Sequence, residues 1–292
     1  MIPVMNIVAW AGNAPWAEQR QVEQDLIISR ALVELFNDDL LHRELRFRGG
    51  TALNKLHFSK PLRYSEDIDL VRTTAGPIKP VLDRLHDVLD PWLGSPKFTQ
   101  SDVAPKLIYR VAAEDKTSTA PIRLKIEINT REREAYDGAA FLPLEVDNPW
   151  FSGAVGIPTF TREELLATKI RALLQRNKGR DLVDLDRALE VLAGLDAGKT
   201  VMLLGRYLEA AGTPITRAQA EERMFAKLDS PAFLADVRPL LTAREAESFD
   251  RAAAMAAFSA VFTAFVQRLP GRPWARTSEM VQRHGLGDIE RY

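Results

Sequence analysis

Two short segments carry residue types that could do chemistry on a phosphate. The first is Arg48-Gly49-Gly50-Thr51, between a run that reads as a strand and one that reads as a helix. Two glycines there let the backbone approach a ligand closely, and the unpaired N–H groups at the start of the next helix attract phosphate. The second is Ser65-Glu66-Asp67-Ile68-Asp69, whose acids sit two apart on an expected strand over residues 67–72. Side chains alternate on a strand, so Asp67 and Asp69 share one face and can hold Mg²⁺, while Ile68 and Leu70 turn to the core. Alone, a Gly-Gly pair reads as an ordinary turn and an Asp-x-Asp as an ordinary strand end. Together they suit nucleotidyl transfer, which needs a phosphate cradle and a metal held by carboxylates.

Further candidates lie downstream. In Ile122-Arg123-Leu124-Lys125-Ile126-Glu127-Ile128 the alternation sets Glu127 opposite an apolar face. A neighbouring strand could bring it to the aspartates as a third metal ligand or as a base; the other reading is a solvated strand face. Lys169 interrupts a helical stripe whose other members, Leu165 and Leu173, are apolar. An ammonium there snorkels outward, forms a structural ion pair, or meets phosphate across a domain junction. Asp181 and Asp184 flank the apolar stripe of the following helix. The helix dipole accounts for an acid in the first turn, which favours Asp184 as the functional one.

The elements that must position these groups follow from periodicity. Apolar residues at helical spacing predict one amphipathic helix over residues 16–41 and a shorter one over 52–57. A strand is expected at 46–48, a helix at 80–93, and strands at 107–111 and 122–128. The Pro- and Gly-rich stretch 148–158 reads as a junction, beyond which the pattern is helical. Thr161 with Glu164, and Thr242 with Glu245, read as capping boxes, the second opening an Ala-rich helix that reaches Leu269. The tail, residues 270–292, reads as an irregular extension. The expectation is an α+β chain with a mixed-sheet domain over 1–160 and a helical domain over 161–292 that completes an active-site cleft.

Composition narrows the classes. The chain has 292 residues, 46% of them hydrophobic, enough for a sizeable core. It has no cysteine, which excludes disulfides and thiolate metal sites. Lys and Arg (39) nearly balance Asp and Glu (40), so any contact with nucleic acid must use a local patch. Arg43, Arg46, Arg48, Lys55, Lys60 and Arg63 face only Glu44 in their stretch, and Arg162, Lys169, Arg171, Arg176, Lys178 and Arg180 cluster later. A basic cleft for triphosphate or RNA is expected from these runs. No basic leader and no long uncharged stretch occurs, so a cytoplasmic protein without membrane spans is expected.

In order and spacing, Gly49-Gly50-Thr51, Ser65-Glu66-Asp67-Ile68-Asp69-Leu70, Lys169-Ile170-Arg171-Ala172-Leu173 and Arg180-Asp181-Leu182-Val183-Asp184-Leu185 resemble the AbiEii/AbiGii-type nucleotidyltransferase toxins, including the MenT-like group. The resemblance spans about residues 20 to 192. It implies a DNA polymerase β-like fold followed by a helical domain, and toxin activity opposed by a separately encoded antitoxin. It also implies transfer of a nucleoside monophosphate from an NTP with Mg²⁺, in some members to the 3′ end of tRNA. Carried over, Asp67 and Asp69 match the metal pair, Lys169 the nucleotide-contacting lysine and Asp184 the later acid. Ser65 falls at a hydroxyl position that can accept phosphate in relatives. Arg48, Gly49, Gly50, Thr51, Ser65 and Lys169 are thus the expected nucleotide-binding residues. A protein hydroxyl or a small molecule as acceptor, or nucleotide binding without turnover, are the rival readings.

Overall fold

The computed structural model describes residues 2–99, 104–115, 120–287 and 289, and the chain divides into two compact units, Met1–Thr161 and Arg162–Tyr292. The first holds helices α1 (Val4–Trp10), α2 (Gln19–Phe36), α3 (Asp39–Glu44), α4 (Gly49–Ala52) and α5 (Lys79–Leu93). Its strands are β1 (Leu45–Arg48), β2 (Asp67–Arg72), β3 (Lys97–Thr99), β4 (Lys106–Val111), β5 (Ile122–Asn129), β6 (Ala139–Asn148) and β7 (Phe151–Phe160). They form one mixed sheet in the order β3-β4-β5-β2-β1-β7-β6. β2 pairs with β5 and β1 with β7 in parallel, and the other neighbours are antiparallel.

The register assembles the chemistry. Arg48 lies opposite Asp69 across β1 and β2, while Asp67 lies beside Lys125 and Asp69 beside Glu127 across β2 and β5. Every second residue of β5 (Ile122, Leu124, Ile126, Ile128) is buried, as its alternation predicts, and Ile68 and Leu70 of β2 join that core. α2 covers the sheet with Leu26, Ile28, Leu32 and Leu35, all fully buried.

Two expectations fail here for local reasons. The helix over residues 16–41 is interrupted because the Asp38 side chain accepts from the N–H groups of Leu40 and Leu41, which caps α3 and restarts the chain. The stretch 148–158 is no junction. Asn148 pairs with Phe151 across a two-residue turn, and Asn148 Oδ1 accepts from Trp150 N–H, so Pro149 marks the turn of a long hairpin. Gly153 is small there because a side chain would press on Val33 of α2.

The second unit is helical: α6 (Arg162–Gln175), α7 (Gly179–Val191), α8 (Ala197–Ala210), α9 (Arg217–Leu228), α10 (Ala243–Ser248), α11 (Arg251–Ala264) and α12 (Thr277–His284). Leu166, Leu173, Leu182, Leu185, Leu204, Phe225, Phe258 and Phe262 form its interior. At the entry to α6 the Thr161 hydroxyl donates to Asp137 Oδ2, and Glu164 accepts from the Tyr207 hydroxyl. The Thr242–Glu245 capping box forms, but it opens only the short α10. Asp250 then caps α11 by accepting from Ala253 N–H, so the expected Ala-rich helix is two helices. The tail is not irregular either. α12 and the residues after it bury Met280, Leu286 and Ile289, while residues 288 and 290–292 lie outside the described ones. Among the described residues no helix is long and apolar enough to cross a membrane.

Candidate active site

In the first unit the site starts where β1 ends. Gly49 has φ +85°, in the left-handed region that glycine tolerates, and a Cβ there would collide with Asp69 Oδ2. Glycine is thus required both by the turn and by the approach of an acid. The chain continues as α4 and a π turn, Leu53–His57. Thr51 Oγ1 donates its one hydrogen to the Asp67 carbonyl at 2.5 Å. In its 2.8 Å contact with Ser65 Oγ, Ser65 is therefore the donor. This relay ties the glycine turn to the start of β2. Asn54 donates to the Gly50 carbonyl and accepts from Leu62 N–H, pinning the loop that leads to Ser65. Gln24, buried on α2, donates to the carbonyls of Glu66 and Arg123 and so fixes β2 and β5 together.

The carboxylates sit on this frame. Asp67 Oδ2 pairs with Lys125 Nζ at 2.9 Å, whereas Asp67 Oδ1 is buried without a hydrogen-bond partner among the described residues. Burial, then the charge of Asp67, push the Asp69 carboxyl above its usual range, against the pull of Lys125 and Arg48. Such a pair lacks positive charge. Two hard-oxygen donors on one strand face, one with an orphaned oxygen, fit a divalent cation. Glu127 is placed differently from the expected third ligand. Its Oε2 lies 3.2 Å from Lys125 Nζ and 3.3 Å from Lys106 Nζ. Burial raises its carboxyl, but Lys125 and Lys106 together bring it below the usual range. Among the described residues no group of three or more His, Cys, Asp or Glu side chains is arranged to hold a metal.

Two cations of the expected basic run are paired with acids and a third is buried. Lys55 donates to Asp25 Oδ1 at 2.9 Å and to Ser29 Oγ, Arg48 pairs with Glu132 at 3.0 Å, and the buried Arg63 donates to the Tyr64 carbonyl.

In the second unit Lys169 is buried and neither snorkels nor stands alone. Its Nζ is 2.7 Å from Asp184 Oδ2 and 3.3 Å from Asp181 Oδ1. Arg176 grips Asp181 through two hydrogen bonds, at 2.7 and 2.8 Å. Asp181 lies in the first turn of α7, where the helix dipole favours an acid, and is also a full member of this cluster. Burial raises its carboxyl, yet Lys169 and Arg176 hold it below the usual range. The Lys227 ammonium, pushed down by burial, donates to the Arg176 carbonyl and steadies the loop behind it.

The sequence reading gave Lys125 no role, counted Arg176 only within a basic run and ranked Asp181 below Asp184. Lys125 had a visible signal: it sits two residues from Glu127 on the polar face of β5. Arg176 had none, because its partner is set by the turn between α6 and α7.

No curated protein matches the chain. In fold it is similar to the nucleotidyltransferase toxin MenT4 from Mycobacterium tuberculosis H37Rv, with 18% identity, 100% of each chain covered and a TM-score of 0.65. A weaker likeness, 16% identity and a TM-score of 0.48 over 94% of this chain and 100% of the other, is to JHP933 from Helicobacter pylori. The family model for the nucleotidyl transferase AbiEii toxin of type IV toxin–antitoxin systems matches residues 30–255. With most of its length matched, and with the glycine turn, the paired aspartates of β2 and the lysine–aspartate cluster of α6 and α7 in place, the chain belongs to the AbiEii nucleotidyl transferase toxin family.

Proposed function

We infer that this chain transfers a nucleoside monophosphate from an NTP to an RNA hydroxyl, the 3′ end of tRNA, with pyrophosphate leaving. The observation that supports the chemistry is the paired, undercompensated carboxylates Asp67 and Asp69 beside the Gly49 turn. These two residues would hold Mg²⁺, which when bound supplies charge neutralisation of the triphosphate and of the pyrophosphate leaving group. Gly49 and Gly50 open space for the phosphates, and Thr51 and Ser65 hold that turn to β2. Arg48 lends positive charge at the same strand end. Glu127 joins the acids, as ligand or base, only when Lys125 and Lys106 release it. In the helical unit Lys169 carries the charge that meets the nucleotide, and Asp184 orients its ammonium. RNA as acceptor is supported by the family resemblance alone, as is a separately encoded antitoxin that opposes the activity.

The test is incubation with labelled NTPs, Mg²⁺ and total tRNA. Label should enter tRNA, and Asp67→Ala should reduce transfer by about 10³-fold or more, the scale of losing a charge-stabilising group from a transition state. Lys169→Ala should do the same. Absence of transfer to any RNA would sink this acceptor. Label on the protein itself would favour Ser65, whose oxygen keeps free lone pairs while its proton is held by Thr51.

A further inference from the structure

Lys125 stands between two acids of the first unit. Its Nζ lies between Asp67 Oδ2, at 2.9 Å, and Glu127 Oε2, at 3.2 Å, and strand register sets it directly beside Asp67. We propose that Lys125 is a specificity-determining residue: its ammonium shields the carboxylates from a free divalent cation and yields them to a cation that arrives with a triphosphate. The inference rests on the reading of Asp67 and Asp69 as metal ligands.

Lys125 is an incomplete partner. It satisfies one oxygen of Asp67 while the other, Oδ1, stays buried and unpaired, and it shares its protons with Glu127. This ammonium is therefore divided between Asp67 and Glu127, enough to let the strands pair and too little to pair both oxygens of Asp67. A bare divalent cation at Asp67 Oδ1 faces the ammonium across the carboxylate, and one that takes both oxygens must also break this ion pair. When a triphosphate comes too, the released Lys125 can donate to phosphate oxygens, and Glu127, still held by Lys106 at 3.3 Å, is not left as an uncompensated charge. Cation and nucleotide affinities are then coupled through one side chain, and the coupling is reciprocal. The simple alternative is a lysine that only stitches β2 to β5.

Mn²⁺ titrations followed by electron paramagnetic resonance, with and without a non-hydrolysable NTP analogue, separate the two. Lys125→Met keeps the stem and removes the charge. It should bind free Mn²⁺ roughly tenfold more tightly than the wild type, the worth of one charge-assisted hydrogen bond, and the analogue should enhance Mn²⁺ binding less. Lys125→Arg should behave as the wild type. Circular dichroism melts confirm that each variant is folded before titration. Free Mn²⁺ affinity equal to or weaker than wild type in folded Lys125→Met overturns the proposal while leaving the metal site intact, provided Asp67→Asn abolishes the binding. Mn²⁺ binding that is absent, or indifferent to Asp67→Asn, overturns the metal site and this proposal together.

Discussion

Each unit contains a lysine set between two acids, and the two clusters differ in how they are sealed. Lys125 with Asp67 and Glu127 keeps side-chain exposures of 18%, 28% and 27%. Lys169 with Asp181 and Asp184 keeps 8%, 0% and 2%. The first cluster also has an orphaned carboxylate oxygen, while in the second both acids face cations and Asp181 has a bidentate arginine besides. An open, undersatisfied cluster can exchange its lysine for a ligand at small cost. A sealed one is strongly held, because a buried charge stripped of its partner has no water to turn to. The same residue types are thus left open to solvent in the β-sheet unit and sealed in the helical one, where Lys169 lies within a buried ion pair.

The largest effect that could break this contrast is on stability. Asp181→Asn leaves Lys169 with Asp184 and takes from Arg176 the carboxylate it grips through two hydrogen bonds. It should lower unfolding free energy by about 3 kcal/mol, at the low end for breaking a buried pair, since half-exposed Arg176 can hydrate. Asp67→Asn, which removes repulsion from Asp69 along with one partly buried pair, should stay within about 1 kcal/mol of wild type. Urea unfolding measures both. Equal losses would erase the distinction between sealed and open. The pH dependence has a definite sign: the Asp181 carboxyl is held low in the folded state, so its stabilisation is complete above the ordinary aspartate range and disappears as pH falls through the depressed value.

Next in size is Gly49→Ala. At φ +85° an alanine is strained, and its Cβ meets Asp69 Oδ2, so a loss of about 1–3 kcal/mol is expected. Because the collision is with an acid of the open cluster, this variant should also weaken Mn²⁺ binding. A loss of stability with Mn²⁺ affinity unchanged would separate the glycine turn from the carboxylates.

What sequence could and could not reveal follows from the range of the forces. β2 and β5 were legible because a two-residue alternation, Ile122 to Ile128, is written locally. β6 and β7 were not, since Pro149 and Gly153 read as breakers until a two-residue turn and the packing of Val33 explain them. The helix over 16–41 looked continuous in its apolar spacing, and only the geometry of the Asp38 side chain reveals the cap that divides it. At the site, the acids and the lysine of α6 were visible as types at a spacing. Their pairing was not, because which cation meets which anion depends on strand register in one unit and on the turn after Gln175 in the other. That is why Asp181 was set below Asp184, and why Lys125 had no role until β5 was placed beside β2.

A third acid on α7 shows what happens with neither a sealing cation nor an exchangeable one. Asp186 lies two residues beyond Asp184, partly buried, and burial together with Glu190 pushes its carboxyl up to about 6, with Arg187 only partly offsetting them. Between the ordinary aspartate value and this raised one the folded state binds more protons than the unfolded state, so stability falls as pH rises through that window and stays lower above it. Asp186→Asn removes the titration. It should leave stability at pH 4 unchanged and raise it by about 1–2 kcal/mol at pH 8, after allowance for the solvent the side chain retains. Urea unfolding at the two pH values reads this directly. A gain of the same size at both would mean that shape rather than charge limits this position, and the comparison of the two clusters with an acid outside them would lose its point of reference.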